Sequence, residues 1–78
     1  MPIAFVCITS EPASMVEVLQ KVRAIEGVEE ATMVYGIYDV VVKVKGDTLD
    51  KIKKIITKDI RKIENVLTTL TMMVVESE

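Results

Sequence analysis

Residues 37–45, with the sequence IYDVVVKVK, are the stretch that decides the fold. β-Branched residues dominate this run, as is typical of a strand. Side chains alternate between the two faces of a strand, so the valines at even positions of the run share one face. Gly36 precedes the run, and residues 28–35, VEEATMVY, form another extended segment before it. Together the two segments predict a β-hairpin with a tight corner at Gly36.

One strand and one helix are predicted on each side of this hairpin. Residues 3–8 are a continuous apolar run, which predicts a strand buried on both faces, and residues 66–75 predict the last strand. The first helix is expected to start with Ser10 as its cap and Pro12 in its first turn. It is expected to end at Gly27.

A second helix is predicted to begin at Asp47 or Thr48, because a small polar residue there can cap the first free amides. Both helices carry an apolar stripe at helical spacing, which is the face they would bury. The stripes are Met15, Val18, Leu19, Val22 and Ile25 in the first helix and Leu49, Ile52, Ile55, Ile56, Ile60 and Ile63 in the second.

The order β-α-β-β-α-β predicts an α+β, ferredoxin-like fold, with a four-stranded antiparallel sheet and two helices on one face. The second face of this sheet would also be apolar, since residues 3–8 are apolar throughout and the last strand has apolar side chains on both faces. A chain of 78 residues has a marginal core, and its one cysteine, Cys7, excludes an internal disulfide. We therefore expect two subunits to dimerise by packing their sheets face to face.

Composition excludes several classes of function. The chain has no histidine, which excludes His-dependent nucleophiles and His-ligated metals, and its net charge of −2 gives no basic excess for nucleic acid. No apolar run approaches the roughly 20 residues of a membrane span, and no signal peptide is evident. We expect a cytoplasmic protein without catalytic residues, metal or cofactor. Asn and Gln are rare beside Lys, Glu, Ile and Val, which is typical of thermophile proteins, although a short chain also shows such a bias by chance.

Two features are candidates for binding. Residues 36–39 combine a glycine corner with Asp39 at the start of a valine-rich strand, where Asp is disfavoured. A ligand could meet backbone groups and this carboxylate there, or Asp39 could simply cap local amides. Thr68, Thr69 and Thr71 could line a polar cleft, or they could reflect β-propensity alone. The lysine-rich face of the second helix is interpreted as a solvated surface.

Three patterns occur in a fixed order: I-E-G-V at residues 25–28, G-x-x-D at residues 36–39, and V-x-x-T-x-T-x-x-V at residues 66–74. With the alternating valines and the second helix between them, they resemble the ligand-binding domain of the Lrp/AsnC regulators, also called the RAM domain. The resemblance covers residues 3–75. In that family the domain follows a helix-turn-helix, whereas this chain begins at its first strand. We therefore expect residues 1–78 to be a stand-alone effector domain without direct DNA binding.

The resemblance also implies partners and site residues. It implies dimers that assemble into larger rings such as octamers, an amino acid or similar effector between neighbouring dimers, and full-length regulators of the family as further partners. Asp39 would bind the effector's ammonium group, and backbone amides near Gly36 would bind its carboxylate. Tyr35, Tyr38 and Met72 are candidates for apolar contact. The implied ligand-binding set is Tyr35, Gly36, Ile37, Tyr38, Asp39, Thr69, Thr71, Met72 and Met73.

Three alternatives stay open. An ACT-type regulatory domain has the same element order, but residues 9–12 lack the glycine-rich ligand loop that would follow its first strand. A small dimeric α+β barrel enzyme would need His, Trp, Asn or Arg in its cleft, and Arg23 and Arg61 are predicted on exposed helix faces. A structural assembly module without a ligand is the third.

Overall fold

The computed structural model describes residues 2–75 and has the element order that the sequence predicts. Four strands form one antiparallel sheet in the order β2-β3-β1-β4. This is the ferredoxin-like α+β fold. The elements are β1 (Ile3–Ser10), α1 (Met15–Arg23), β2 (Val28–Met33), β3 (Val40–Lys45), α2 (Leu49–Lys54) and β4 (Val66–Met73).

The core lies between one face of the sheet and the two helices. Even-numbered residues of β1 and β3 supply the sheet side, because residues opposite each other in an antiparallel pair share a face. The two helices form the other side of the core with most residues of their predicted apolar stripes. The core residues from these four elements are Ala4, Val6, Ile8, Val18, Leu19, Val22, Val40, Val42, Val44, Ile52, Ile56 and Ile60. Leu49 was wrongly predicted to be buried: it is 52% exposed, because the first turn of α2 lies outside this cluster.

The predicted start of the first helix is wrong at Ser10. Ser10 is the last residue of β1, and its backbone N–H donates to the carboxylate of Asp39 instead of opening a helix. A 3₁₀ turn at Pro12–Ser14 follows, and α1 begins at Met15. Pro12 fits this turn because its missing amide hydrogen needs no partner there.

Helix α2 begins where the sequence predicts and then changes its winding. Thr48 is the N-cap, and its Oγ1 accepts a hydrogen bond of 3.2 Å from the amide of Lys51. After Lys54 the helix widens into a π-helical segment, Ile55–Ile60, and the amide of Arg61 donates to the carbonyl of Ile56 at 2.9 Å. Such segments are rare and frequently lie at functional sites.

The hairpin is wider than predicted. Strand β3 begins at Val40 and not at Ile37, so residues 34–39 form a loop between β2 and β3. Asp39 ties the end of this loop to β1, because its amide donates to the carbonyl of Ile8 at 2.8 Å.

The face of the sheet turned away from the helices, here called the outer face, is largely apolar. Phe5 and Cys7 of β1 lie opposite Met72 and Leu70 of β4, and Val41 lies opposite Cys7 on the other side. Leu70 and Met72 are close to half exposed. The chain thus has apolar side chains on both sheet faces, as the sequence predicts, and its own helices cover only one.

Candidate functional site

The corner, residues 35–39, lies past the ends of β2 and β3. Tyr35 is fully exposed and Ile37 is 86% exposed, whereas Tyr38 is half-buried. Gly36 has a φ of +145°, and a Cβ built there would meet no atom within 4 Å. The corner therefore presents two large apolar side chains and an unobstructed backbone to its surroundings.

Asp39 holds this corner to the end of β1. Its Oδ2 accepts a hydrogen bond of 2.9 Å from the amide of Ser10, and its carbonyl accepts one of 2.9 Å from the amide of Val34. Ser10 is only 3% exposed, so its amide depends on this carboxylate. Asp39 thus caps a backbone amide, but this amide is on β1, 29 residues away, and is not one of the local amides considered from the sequence. Its Oδ1 accepts no hydrogen bond from residues 2–75, which leaves one carboxylate oxygen for a ligand.

A cleft of about 760 Å³ opens between β4 and the second helix with its π-helical segment. Thr69, Thr71 and Met73 face it, since they lie opposite the buried residues Ile8, Val6 and Ala4 of β1. The volume falls in the range of small-molecule sites, roughly 300–1,000 Å³. The cleft is lined by Ile52, Lys53, Ile56, Thr57, Arg61, Val66, Leu67, Thr68, Thr69, Thr71 and Met73.

The predicted set of site residues is divided between these two places and the outer face. Strand β1 lies between β3 and β4, so the corner and the cleft are separated by two strand spacings, about 9–10 Å. Met72 belongs to neither, because its side chain lies on the outer face opposite Phe5. Thr68 contributes to the cleft lining, but its hydroxyl is bonded to that of Thr9 at 2.6 Å. Within one chain β1 lies between the two places, and its Ser10 bonds to Asp39 of the corner and pairs with Val66 of the cleft lining.

Three polar residues of the cleft were not predicted as site residues. Lys53 and Arg61 were interpreted as part of a solvated helix face and Thr57 was not singled out, yet all three line the cleft. Their spacing of four residues carried the signal, since it forms a second stripe directly beside the buried one at Ile52 and Ile56. No Asp or Glu between residues 2 and 75 lines the cleft, so the charged groups that these residues supply to it are all positive.

Other kinds of site receive no support from residues 2–75. Within them no three Cys, Asp or Glu side chains come together in a group that could bind a metal ion. None of the helices described is long and apolar enough to cross a membrane.

A family model for the Lrp/AsnC ligand-binding domain matches residues 3–78. The HTH-type transcriptional regulator PF0250 of Pyrococcus furiosus is 34% identical over 73 residues, which cover 90% of this chain and 49% of that protein. The chain thus spans about half the length of this curated relative.

Two solved structures share the fold over nearly the whole chain. FFRP-DM1 is 39% identical with a TM-score of 0.91, and the match covers 96% of this chain and 100% of that one. The regulator NMB0573 of Neisseria meningitidis, solved with L-Met, has a TM-score of 0.84 at 14% identity, covering 96% of this chain and 50% of its own. At that identity the second likeness concerns the fold alone.

Proposed function

The chain belongs to the Lrp/AsnC ligand-binding domain family, and we propose that it is a non-enzymatic module that binds an amino-acid effector between the subunits of a homo-oligomer. The observation that carries this proposal is the division of the site. The corner and the cleft each have features of a ligand site, but β1 separates them within one chain. Bringing the corner of one subunit to the cleft of another joins them.

Each half of the joined site has a role in binding. Asp39 has one carboxylate oxygen free of hydrogen bonds within residues 2–75, and we assign it to the ammonium group. Backbone amides at Gly36 are accessible to the carboxylate because the glycine is unobstructed. Tyr35 and Tyr38, with Met73 of the cleft, supply apolar contact for the side chain. The L-Met bound in NMB0573 is an effector of this chemical class.

Self-association is supported by the outer face. Leu70 and Met72 are 45% and 47% exposed, and they adjoin the half-buried Phe5 and Val41. A contiguous apolar face of this kind indicates a contact surface. Two ion pairs lie at one margin of the outer face: Lys43 is 3.8 Å from Glu29, and Lys45 is 3.7 Å from Glu29. We propose that a second copy covers this face, with further association joining corner to cleft.

Regulation follows if the effector binds one assembly better than another. Full-length regulators such as PF0250 are candidates for co-assembly, because such proteins carry the same domain in about half their length. An assembly module without a ligand is the second candidate, and the apolar outer face favours it equally.

Thermal-shift measurements against the twenty amino acids, with light scattering on each hit, test the proposal. A ligand that binds only the folded state raises the melting temperature in proportion to the logarithm of its concentration. We expect at least one amino acid to raise it and to change the scattering mass. If none does so at millimolar concentration, the sensor function is wrong and the assembly module is favoured.

A further inference from the structure

The cleft between β4 and the second helix has the chemistry of an anion site with an apolar floor. Arg61 and Lys53 line it with the hydroxyl residues Thr57, Thr69 and Thr71. Its floor is formed by aliphatic residues: Ile52, Ile56, Val66 and Met73. No acidic side chain of the described part, residues 2–75, contributes to the lining, although the chain as a whole has a net charge of −2.

The two cations of the cleft have no carboxylate partner within residues 2–75. Four cations elsewhere do, among them Lys21, 3.7 Å from Glu17, and Lys51, 3.4 Å from Asp47. Lys54 and Lys58 of the same helix also form no ion pair within residues 2–75, so it is the place of Arg61 and Lys53 in the cleft that distinguishes them. Arg61 and Lys53 form no ion pair with the described residues. A guanidinium is well suited to a carboxylate, because its donors match the two oxygens in one plane.

The π-helical segment sets the position of these groups. Because the turn is widened, the amide of Arg61 donates to the carbonyl of Ile56, five residues earlier. The hydroxyl of Thr57 donates to the carbonyl of Lys53 at 2.8 Å, so its oxygen lone pairs are left to accept from a ligand. The hydroxyls of Thr69 and Thr71 on β4 form no hydrogen bond with residues 2–75, and they face this helix across the cleft.

From these features we propose that the cleft by itself binds an amphipathic monocarboxylate, with Arg61 contacting the carboxylate and the aliphatic floor contacting the chain. Among residues 2–75 no acid that could recognise an ammonium group lines the cleft, so the proposed ligand needs only a carboxylate and an apolar chain. This inference builds on the proposed function and changes one assignment: the carboxylate goes to Arg61 of the cleft and not to the amides of Gly36. Recognition of the ammonium group is left to Asp39 of the corner.

Three ligands of similar shape separate the contribution of the carboxylate from that of the ammonium group. They are L-leucine, 4-methylpentanoate, which lacks the amino group, and L-leucinamide, which lacks the carboxylate. Isothermal titration of the full chain should detect binding of 4-methylpentanoate and none of L-leucinamide. Arg61→Gln should lower the affinity for 4-methylpentanoate by about tenfold or more, as expected for loss of a charged hydrogen-bond donor. Lys62→Gln is the matched control, since it removes one positive charge at the next residue, outside the cleft lining, and should change the affinity less than about twofold.

Each outcome decides between the inference and the proposed function. If L-leucine binds and 4-methylpentanoate does not, the inference is wrong and amino-acid binding stands. If 4-methylpentanoate binds and none of the twenty amino acids does, the inference stands and the proposed function fails. Equal binding of L-leucinamide, or equal loss in the Arg61 and Lys62 variants, overturns the inference even if L-leucine binds.

Discussion

Substitutions at Asp39 can separate its structural role from its binding role. Asp39→Ala removes the acceptor of the Ser10 amide, which is 2.9 Å from Oδ2. Ser10 is 3% exposed, so water cannot replace the lost acceptor without a local opening. A buried donor without a partner costs about 1–3 kcal/mol. In a domain of this size each kcal/mol lowers the melting temperature by about 4–8 °C.

Asp39→Asn isolates the charge. The side-chain amide oxygen of Asn can still accept from Ser10, so we expect this variant to retain most of its stability. It has no negative charge, so the ammonium contact proposed for Asp39 should weaken by about tenfold or more. We therefore expect Asp39→Ala to lower both the stability and the affinity for the effector, and Asp39→Asn to lower mainly the affinity.

The assay is urea denaturation at one protein concentration, combined with titration of whichever amino acid raises the melting temperature. Asp47→Ala is the control, because Asp47 is an exposed carboxylate whose only ion pair among residues 2–75, to Lys51 at 3.4 Å, is also exposed. Its effect on stability should stay below about 0.5 kcal/mol. The structural reasoning is refuted if Asp39→Ala is as stable as the control. The binding assignment is refuted if Asp39→Asn binds the effector with unchanged affinity.

Three further predictions follow from the fold. Gly27→Ala should lower the urea midpoint of unfolding more than Gly36→Ala does. Both glycines have a positive φ, which strains any residue with a Cβ. Only at Gly27 would the added Cβ also lie 2.5 Å from a side-chain carbon of the π-helical segment. Thr48→Ala should cost about 0.5–2 kcal/mol in the same assay through loss of the N-cap, and an unchanged midpoint would contradict that role. Leu70→Lys on the outer face should reduce the mass measured by light scattering, whereas Leu49→Lys, equally exposed on α2, should not; equal masses would exclude the outer face as the subunit contact.

The order of strands and helices could be predicted because the spacing of apolar residues is a local property of the sequence and does not depend on tertiary contacts. The valines at alternate positions of β3 and the stripe at Val18, Leu19 and Val22 can each be buried by only one regular conformation. The boundaries were less certain where a polar residue has two possible partners. Ser10 looked like a helix cap, but pairing with Asp39, 29 residues later, places it in β1.

The candidate site was predictable only in part for the same reason. The corner glycine and Asp39 could be recognised because glycine and aspartate are unusual beside a valine-rich strand. Arg61 could not be distinguished from the other cations of its helix, since its place in the cleft depends on β4 packing nearby and on the π-helical turn.

The sequence by itself determined the class of fold, the buried helix faces and the surplus of apolar strand residues, because these depend on local periodicity. Only the tertiary structure decided that β1 lies between β3 and β4 and therefore separates the corner from the cleft. The alignment of strands is a long-range property, in which residues far apart in the chain become neighbours by pairing. Because the chain divides its candidate site in this way, we propose that a second copy completes the site and that the effector binds between subunits.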